Sequence, residues 1–269
     1  MQIIRFKDKD GKIYTGCDLK EGRASLINGD VFNHFEVTEK RIEVEELAAP
    51  IQPCAVFCIG LNYRMHARET GFSIPEYPIL FMKNPAAVTG PNSNIEIPLS
   101  CSKPPEVDYE AELAVVIKKK AKNIKKEDAL DYILGYTCAN DISARRWQKH
   151  AGGGQWVKGK SFDTFCPLGP CIVTADEIDD PQSLDIECML NNEQMQKSST
   201  SDMIFSVSEI VEYLSESTTL LPGTVILTGT PSGVGFTRNP PVYLIPGDLL
   251  ETRIQGIGTL ANRVTAEED

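Results

Sequence analysis

One segment constrains this chain more than any other: Val107-Asp108-Tyr109-Glu110-Ala111-Glu112-Leu113-Ala114-Val115-Val116-Ile117, an almost wholly apolar strand interrupted by two glutamates. With a side-chain period of two, Glu110 and Glu112 project from one face while Ala111, Leu113 and Val115 project from the other. Like charges on adjacent same-face positions in an apolar setting are costly unless a cation or a proton compensates them. An exposed edge face is the other reading this strand leaves open.

A second apolar stretch, Tyr136-Thr137-Cys138-Ala139-Asn140-Asp141, also ends in a carboxylate. Asp141 can cap the segment that starts at Ser143, or it can join the glutamates as a ligand. Three carboxylates with no cysteine or histidine beside them form a hard, all-oxygen donor set suited to Mg2+, with Mn2+ or Ca2+ as substitutes.

Around these segments the chain reads as strands with few helices. The first residues alternate in short strand-like runs (IIRF, KIYTG, ASLI, IEVEEL) between Asp-Gly, Glu-Gly and Gly-Asp turns, which predicts a small β-rich N-terminal appendage over 1–48. The Pro-containing AAPIQP segment marks the boundary, and a catalytic domain is expected over 53–266. Strands are predicted near 54–59, 79–83, 109–117, 133–140, 168–173, 184–191, 224–228 and 249–254. The clearest helix spans 207–215, where Ser206 and Glu209 have capping-box spacing, and a second is expected near 126–133. So many strands with so few crossover helices argue for a strand-dominated α+β fold.

The net charge of −11 argues against a nucleic-acid partner, and the one basic run, Lys118 to Lys126, reads as a solvated turn. That balance would repel an anionic substrate unless a local cation reversed the potential, which again points to a bound metal. No run approaches the length of a membrane span, so no membrane partner is expected. The eight cysteines follow no apolar leader-like segment and lie largely in apolar stretches. They read as buried thiols in a reducing compartment, which leads us to expect a cytoplasmic protein. Their irregular spacing, with three histidines, does not suit a structural zinc site.

The ordered motifs GLNY-xx-H-xx-E, LFMK, DYEAELAVVI, GYTCANDISAR-xWQ, GKSFDTFCPLGP and ILTGTPSGVG resemble the fumarylacetoacetate hydrolase family across about 54–264. The likeness is greatest to its branch of domain-containing protein 2 relatives, some described as oxaloacetate tautomerases and some found in mitochondria. The resemblance implies a mixed β-sandwich roll, a homodimer, and Mg2+ held by Glu110, Glu112 and Asp141. Members like the founding hydrolase carry a fourth ligand carboxylate upstream of the histidine. Here CIGLNYR offers Asn62 and no acid, so three protein ligands are expected.

His66 and Glu69, three residues apart, suit an i,i+3 contact on a surface helix; the resemblance makes them a catalytic lid pair. It likewise implies that Lys160 faces a substrate oxygen, that Gln148 is a polar substrate contact, and that Thr230 meets the substrate carboxylate. The Thr230 loop is glycine-rich, but no Lys follows it and no G-x-G-x-x-G exists, so nucleotide binding is not expected. The implied substrate is a small anionic 2-oxo acid, whose carboxylate and keto oxygen can chelate Mg2+ while C3 loses a proton or a substituent. Oxaloacetate tautomerisation is the leading expectation. Carbon–carbon hydrolysis of acylpyruvates, oxaloacetate decarboxylation and a catalytically silent metal-binding protein are the alternatives.

Overall fold

The computed structural model describes residues 1–268. The Ala111–Ile117 strand, buried at every residue, lies within a mixed 12-stranded sheet. Its antiparallel neighbours are Ile133–Asn140 and Val225–Leu227. Past Val225–Leu227 the sheet continues through the parallel strand Val56–Gly60 and then Ile79–Lys83. Strands covered on both faces carry continuous rather than alternating apolar residues, which accounts for CAVFCIGL and AELAVVI.

On the other side, Ile133–Asn140 pairs with Cys166–Thr174, and that strand pairs with Gln2–Lys7, setting Ile3 opposite Ile172. The meander Gln2–Lys7, Ile13–Lys20, Arg23–Gly29, Phe35–Glu43 therefore extends the same sheet. A five-stranded sheet (Glu193–Ser199, Asp185–Leu190, Leu249–Ile254, Gly258–Ala266, Ile95–Ile97) packs against its central strands. Asn140 Nδ2 donates to Thr252 Oγ1 across that interface at 3.0 Å. Neither sheet closes on itself, so the fold is a strand-dominated α+β sandwich. Among the described residues no helix is long and apolar enough to cross a membrane.

The helix at Val207–Ser215 has both halves of its capping box, Ser206 Oγ accepting from Glu209 N and Glu209 Oε2 accepting from Ser206 N. The segment expected to be helical near 126–133 is instead a 3-10 run, Lys126–Tyr132, entered without a side-chain cap at Lys125. At its end Ile133 already starts a buried strand, and that pairing sets the boundary. The strand expected at 109–117 starts at Ala111, and Val107–Asp108 before it pairs separately with Ser143–Ala144, so the apolar Val107–Ile117 segment is broken at Tyr109–Glu110. Seven cysteines are buried, but Cys54 is exposed because it precedes the strand it was expected to join.

Candidate functional site

Four acids alternate along one line of chain: Glu106, Asp108, Glu110 and Glu112 are each 6 % exposed or less. Glu106 accepts from Arg146 through its backbone N–H and its guanidinium. Asp108 accepts from Arg145 Nε at 2.8 Å and from the backbone N–H groups of Gly235 and Phe236. Arg145 Nη2 also reaches Glu110 Oε1 at 2.7 Å. Lys160 Nζ bridges Glu110 Oε2 at 2.7 Å and Asp141 Oδ2 at 2.6 Å, and Lys83 binds the other oxygen of Asp141. Asp141 is thus committed to two lysines and caps nothing.

The Asn-Asp pair positions these groups through the backbone. Asn140 Oδ1 accepts from Glu110 N at 2.9 Å, and Asp141 N donates to the Glu110 carbonyl at 2.8 Å. The glycine-rich loop lies alongside the same strand: Thr228 Oγ1 donates to Leu113 O, Gly229 N to Glu112 Oε2 at 2.6 Å, and Thr230 Oγ1 to Ala111 O. Gly229 has φ +102°, and a Cβ there would sit 2.6 Å from that of Asn62, so only glycine brings this N–H to Glu112. Asn62 is a structural cross-link, its amide bonded to Phe205 and Thr228.

Charge accounting tests the metal expectation. Asp108, Glu110, Glu112 and Asp141 are four buried carboxylates, while Arg145, Lys160 and Lys83 supply three cations. Among the described residues Glu112 is the one of these four carboxylates without a cationic partner. Burial, and then repulsion from Asp141 and Glu110, push its carboxyl well above the usual range. Glu110 is also pushed up by burial, but Lys160 and Arg145 outweigh this and hold it far below. Oxygens of Glu110, Glu112 and Asp141 all lie within 4.8 Å of one another. A hard divalent cation there would supply the missing charge and replace the proton on Glu112, so the donor set fits Mg2+.

Glu110 and Glu112 line a cavity of about 360 Å³ together with His66, Gln148, Lys160 and Thr230. His66 Nδ1 lies 3.0 Å from Glu69 Oε2 on the Arg64–Thr70 helix. Burial raises the Glu69 carboxyl, but hydrogen bonds from His66, Thr237 and Gly233 bring it below its ordinary value. Two of the three Lys160 donors are used by carboxylates, leaving one for a ligand oxygen. Arg145 occupies Gln148 Oε1 at 2.9 Å, which leaves the amide NH2 as the donor available to the cavity. The Thr230 hydroxyl gives its hydrogen to Ala111 O and accepts from Gln196, so it can donate to a ligand only by exchanging the first bond.

Sequence reasoning misses Lys83, Asp108, Arg145 and Lys149, charged residues whose partners are distant in the chain or absent. Lys149 also lines the cavity, its Nζ 3.5 Å from the centroid of the Phe236 ring, and no carboxylate pairs with it among the described residues. Burial, then the charge of Arg145, push its pKa down. A larger cavity of about 520 Å³ lies among Asp185, Glu187, Arg253 and Thr259, away from the carboxylate cluster.

Residues 55–265 match the family described as fumarylacetoacetate (FAA) hydrolase C-terminal. A fumarylacetoacetate hydrolase domain-containing protein 2 homolog of Dictyostelium discoideum is 46% identical over 239 residues, 85% of this chain and 77% of that protein. The mitochondrial oxaloacetate tautomerase FAHD2A of Bos taurus is 47% identical over 224 residues, covering 83% of this chain and 70% of its own. Among solved structures, a 2-hydroxyhepta-2,4-diene-1,7-dioate isomerase from Mycobacterium marinum superposes with a TM-score of 0.85 at 37% identity, covering 100% of both chains.

Proposed function

Because the chain belongs to the fumarylacetoacetate hydrolase family, we propose that this enzyme is a Mg2+-dependent oxaloacetate keto–enol tautomerase. The observation that carries the reading is the convergence on one cavity of Glu110 and Glu112, two members of an unbalanced carboxylate triad, with His66 and Lys160. The names of the bovine and related proteins supply the reaction.

Glu110, Glu112 and Asp141 would hold the ion. When bound, Mg2+ supplies Lewis acidity toward the 2-oxo group. His66, oriented through Nδ1 by Glu69, moves the proton at C3. Lys160 directs its free donor at the substrate oxygen where charge develops, and its pKa, lowered by burial but raised more by Asp141 and Glu110, keeps it an ammonium. Lys149, which no carboxylate of the described residues pairs with, reads the distal carboxylate of oxaloacetate.

The test follows the ultraviolet absorbance of enol oxaloacetate and, in parallel, the release of pyruvate. The reading requires Mg2+-dependent loss of the enol band far faster than pyruvate appears, abolished by chelator. Efficient cleavage of an acylpyruvate without any effect on oxaloacetate tautomerisation would establish hydrolysis instead.

A further inference from the structure

Oxaloacetate leaves one part of the cavity without an occupant. Its charged groups have partners in Lys160, the proposed ion and Lys149, yet Ile59, Phe72, Ile79, Phe81 and Trp156 also line the space. They give the cavity an apolar wall, two of whose members, Phe81 and Trp156, connect to the polar cluster through Lys160. Lys160 Nζ lies 5.0 Å from the centroid of the Phe81 ring, and that ring meets Trp156 edge-on with centroids 5.3 Å apart. Trp156 in turn packs on bare backbone: a Cβ at Gly60 would fall 2.6 Å from its ring. Phe72 is 65 % exposed, a high fraction for a large apolar side chain at the rim of a site.

We propose that the enzyme also tautomerises arylpyruvates, 2-oxo acids with an aromatic ring on C3, with the ring seated against Phe81 and Trp156. The inference rests on the tautomerase reading of the same site. Charge and polarity match from end to end: the carboxylate and keto oxygens face the Lys160 end, and the ring faces an apolar surface suited to edge and offset aromatic contacts. The chemistry is unchanged and needs no co-reactant. The C3–H bond breaks with its proton passing to the His66–Glu69 pair, and its electrons become the C2–C3 double bond. The carbonyl π pair moves onto oxygen, which takes up a proton, so enol and keto forms are isomers. Ring conjugation acidifies C3–H and stabilises the enol.

Ketonisation of phenylpyruvate enol by the full chain with Mg2+ is followed in the ultraviolet beside oxaloacetate, in the wild type and in Phe72→Ser and Trp156→Ser. The expected result is catalysis of both substrates, with kcat/KM for phenylpyruvate falling about tenfold or more in each variant and that for oxaloacetate changing less than about twofold. Catalysis of oxaloacetate alone overturns the inference and leaves the tautomerase reading standing. Catalysis of neither overturns both. Phenylpyruvate turnover that is unchanged in both variants removes the wall as its binding surface and overturns the inference as well.

Discussion

The second oxygen of Glu69 accepts from Gly233 N and from Thr237 Oγ1, each at 2.9 Å, while the first lies 3.0 Å from His66 Nδ1. The Arg64–Thr70 helix is thereby tied to the same glycine-rich segment whose Gly229 N holds Glu112. A single loop positions both the proposed proton-moving pair and one proposed metal ligand. Glu69 is thus more than a partner within its helix.

His66→Ala is expected to lower kcat by about 10²–10⁴-fold, the usual contribution of a positioned proton-transfer group, with Mg2+ affinity unchanged. Glu69→Gln should lower kcat in the same direction, since it weakens imidazole orientation without removing the ring. Steady-state kinetics and calorimetry check this pair together. Wild-type turnover in both variants would leave the contact as an ordinary i,i+3 pair.

Glu112 gives the cleanest test of metal binding. Removing Glu110 or Asp141 strands buried lysine or arginine partners, but among the described residues Glu112 has no cation to strand. Glu112→Gln, which mimics the protonated acid, is therefore expected to stay folded with little change in stability, while calorimetric Mg2+ binding is lost. Glu110→Ala and Asp141→Ala should lose binding as well, with a lower melting temperature. Unchanged Mg2+ affinity across all three would remove the triad as the metal site.

The common cavity of Glu110 and Glu112 is legible from their spacing of two, which is local, whereas the break at Tyr109–Glu110 is not, because the distant Ser143–Ala144 pairing sets it. Asp141 is legible only as a choice between cap and ligand, since the choice turns on Lys83 and Lys160, which lie 58 and 19 residues away. Gln196, 85 residues from the Ala111 N–H that it accepts from, leaves no local signal at all. The capping box at Ser206 and Glu209 is legible for the opposite reason: both partners sit within one turn. Nor does the N-terminal alternation reveal its destination, because pairing Ile3 with Ile172 is a property of the closed fold.

Lys83 is buried against Asp141, with both side chains inaccessible. Lys83→Met is expected to destabilise by about 3–5 kcal/mol, because it leaves a carboxylate short of a buried partner. The double variant Lys83→Met, Asp141→Asn should recover much of that loss. Denaturant midpoints decide it, and a single variant as stable as the wild type would show that Lys160 alone suffices for Asp141.

Glu209 carries a pH-dependent part of the helix cap. The hydrogen bond from Lys126, opposed by burial and reinforced by Ser206, pulls its carboxyl down to about 2. A depressed carboxylate stabilises fully above its unfolded value of about 4.3 and loses that contribution as pH falls toward the folded value. Its exposure keeps the contribution at about 1 kcal/mol or less. The melting-temperature gap between wild type and Glu209→Gln should therefore be larger at neutral pH than near pH 3. A gap independent of pH would assign the effect to packing.

Lys149 decides how the cavity reads the far end of oxaloacetate. Arg145, Lys160 and Lys83 are each bound to carboxylates of the protein, whereas Lys149 faces the cavity over Phe236 with none among the described residues. A charge-assisted hydrogen bond is worth about 1.5–3 kcal/mol, so Lys149→Gln should raise KM for oxaloacetate by roughly ten- to a hundredfold. Competitive inhibition by oxalate, which carries the proximal oxygen pair and nothing beyond it, should not change. Restoring a cation with Lys149→Arg should recover part of the loss. If oxalate and oxaloacetate weaken together, Lys149 acts through Arg145 and the proximal site; if neither weakens, the distal carboxylate is read elsewhere.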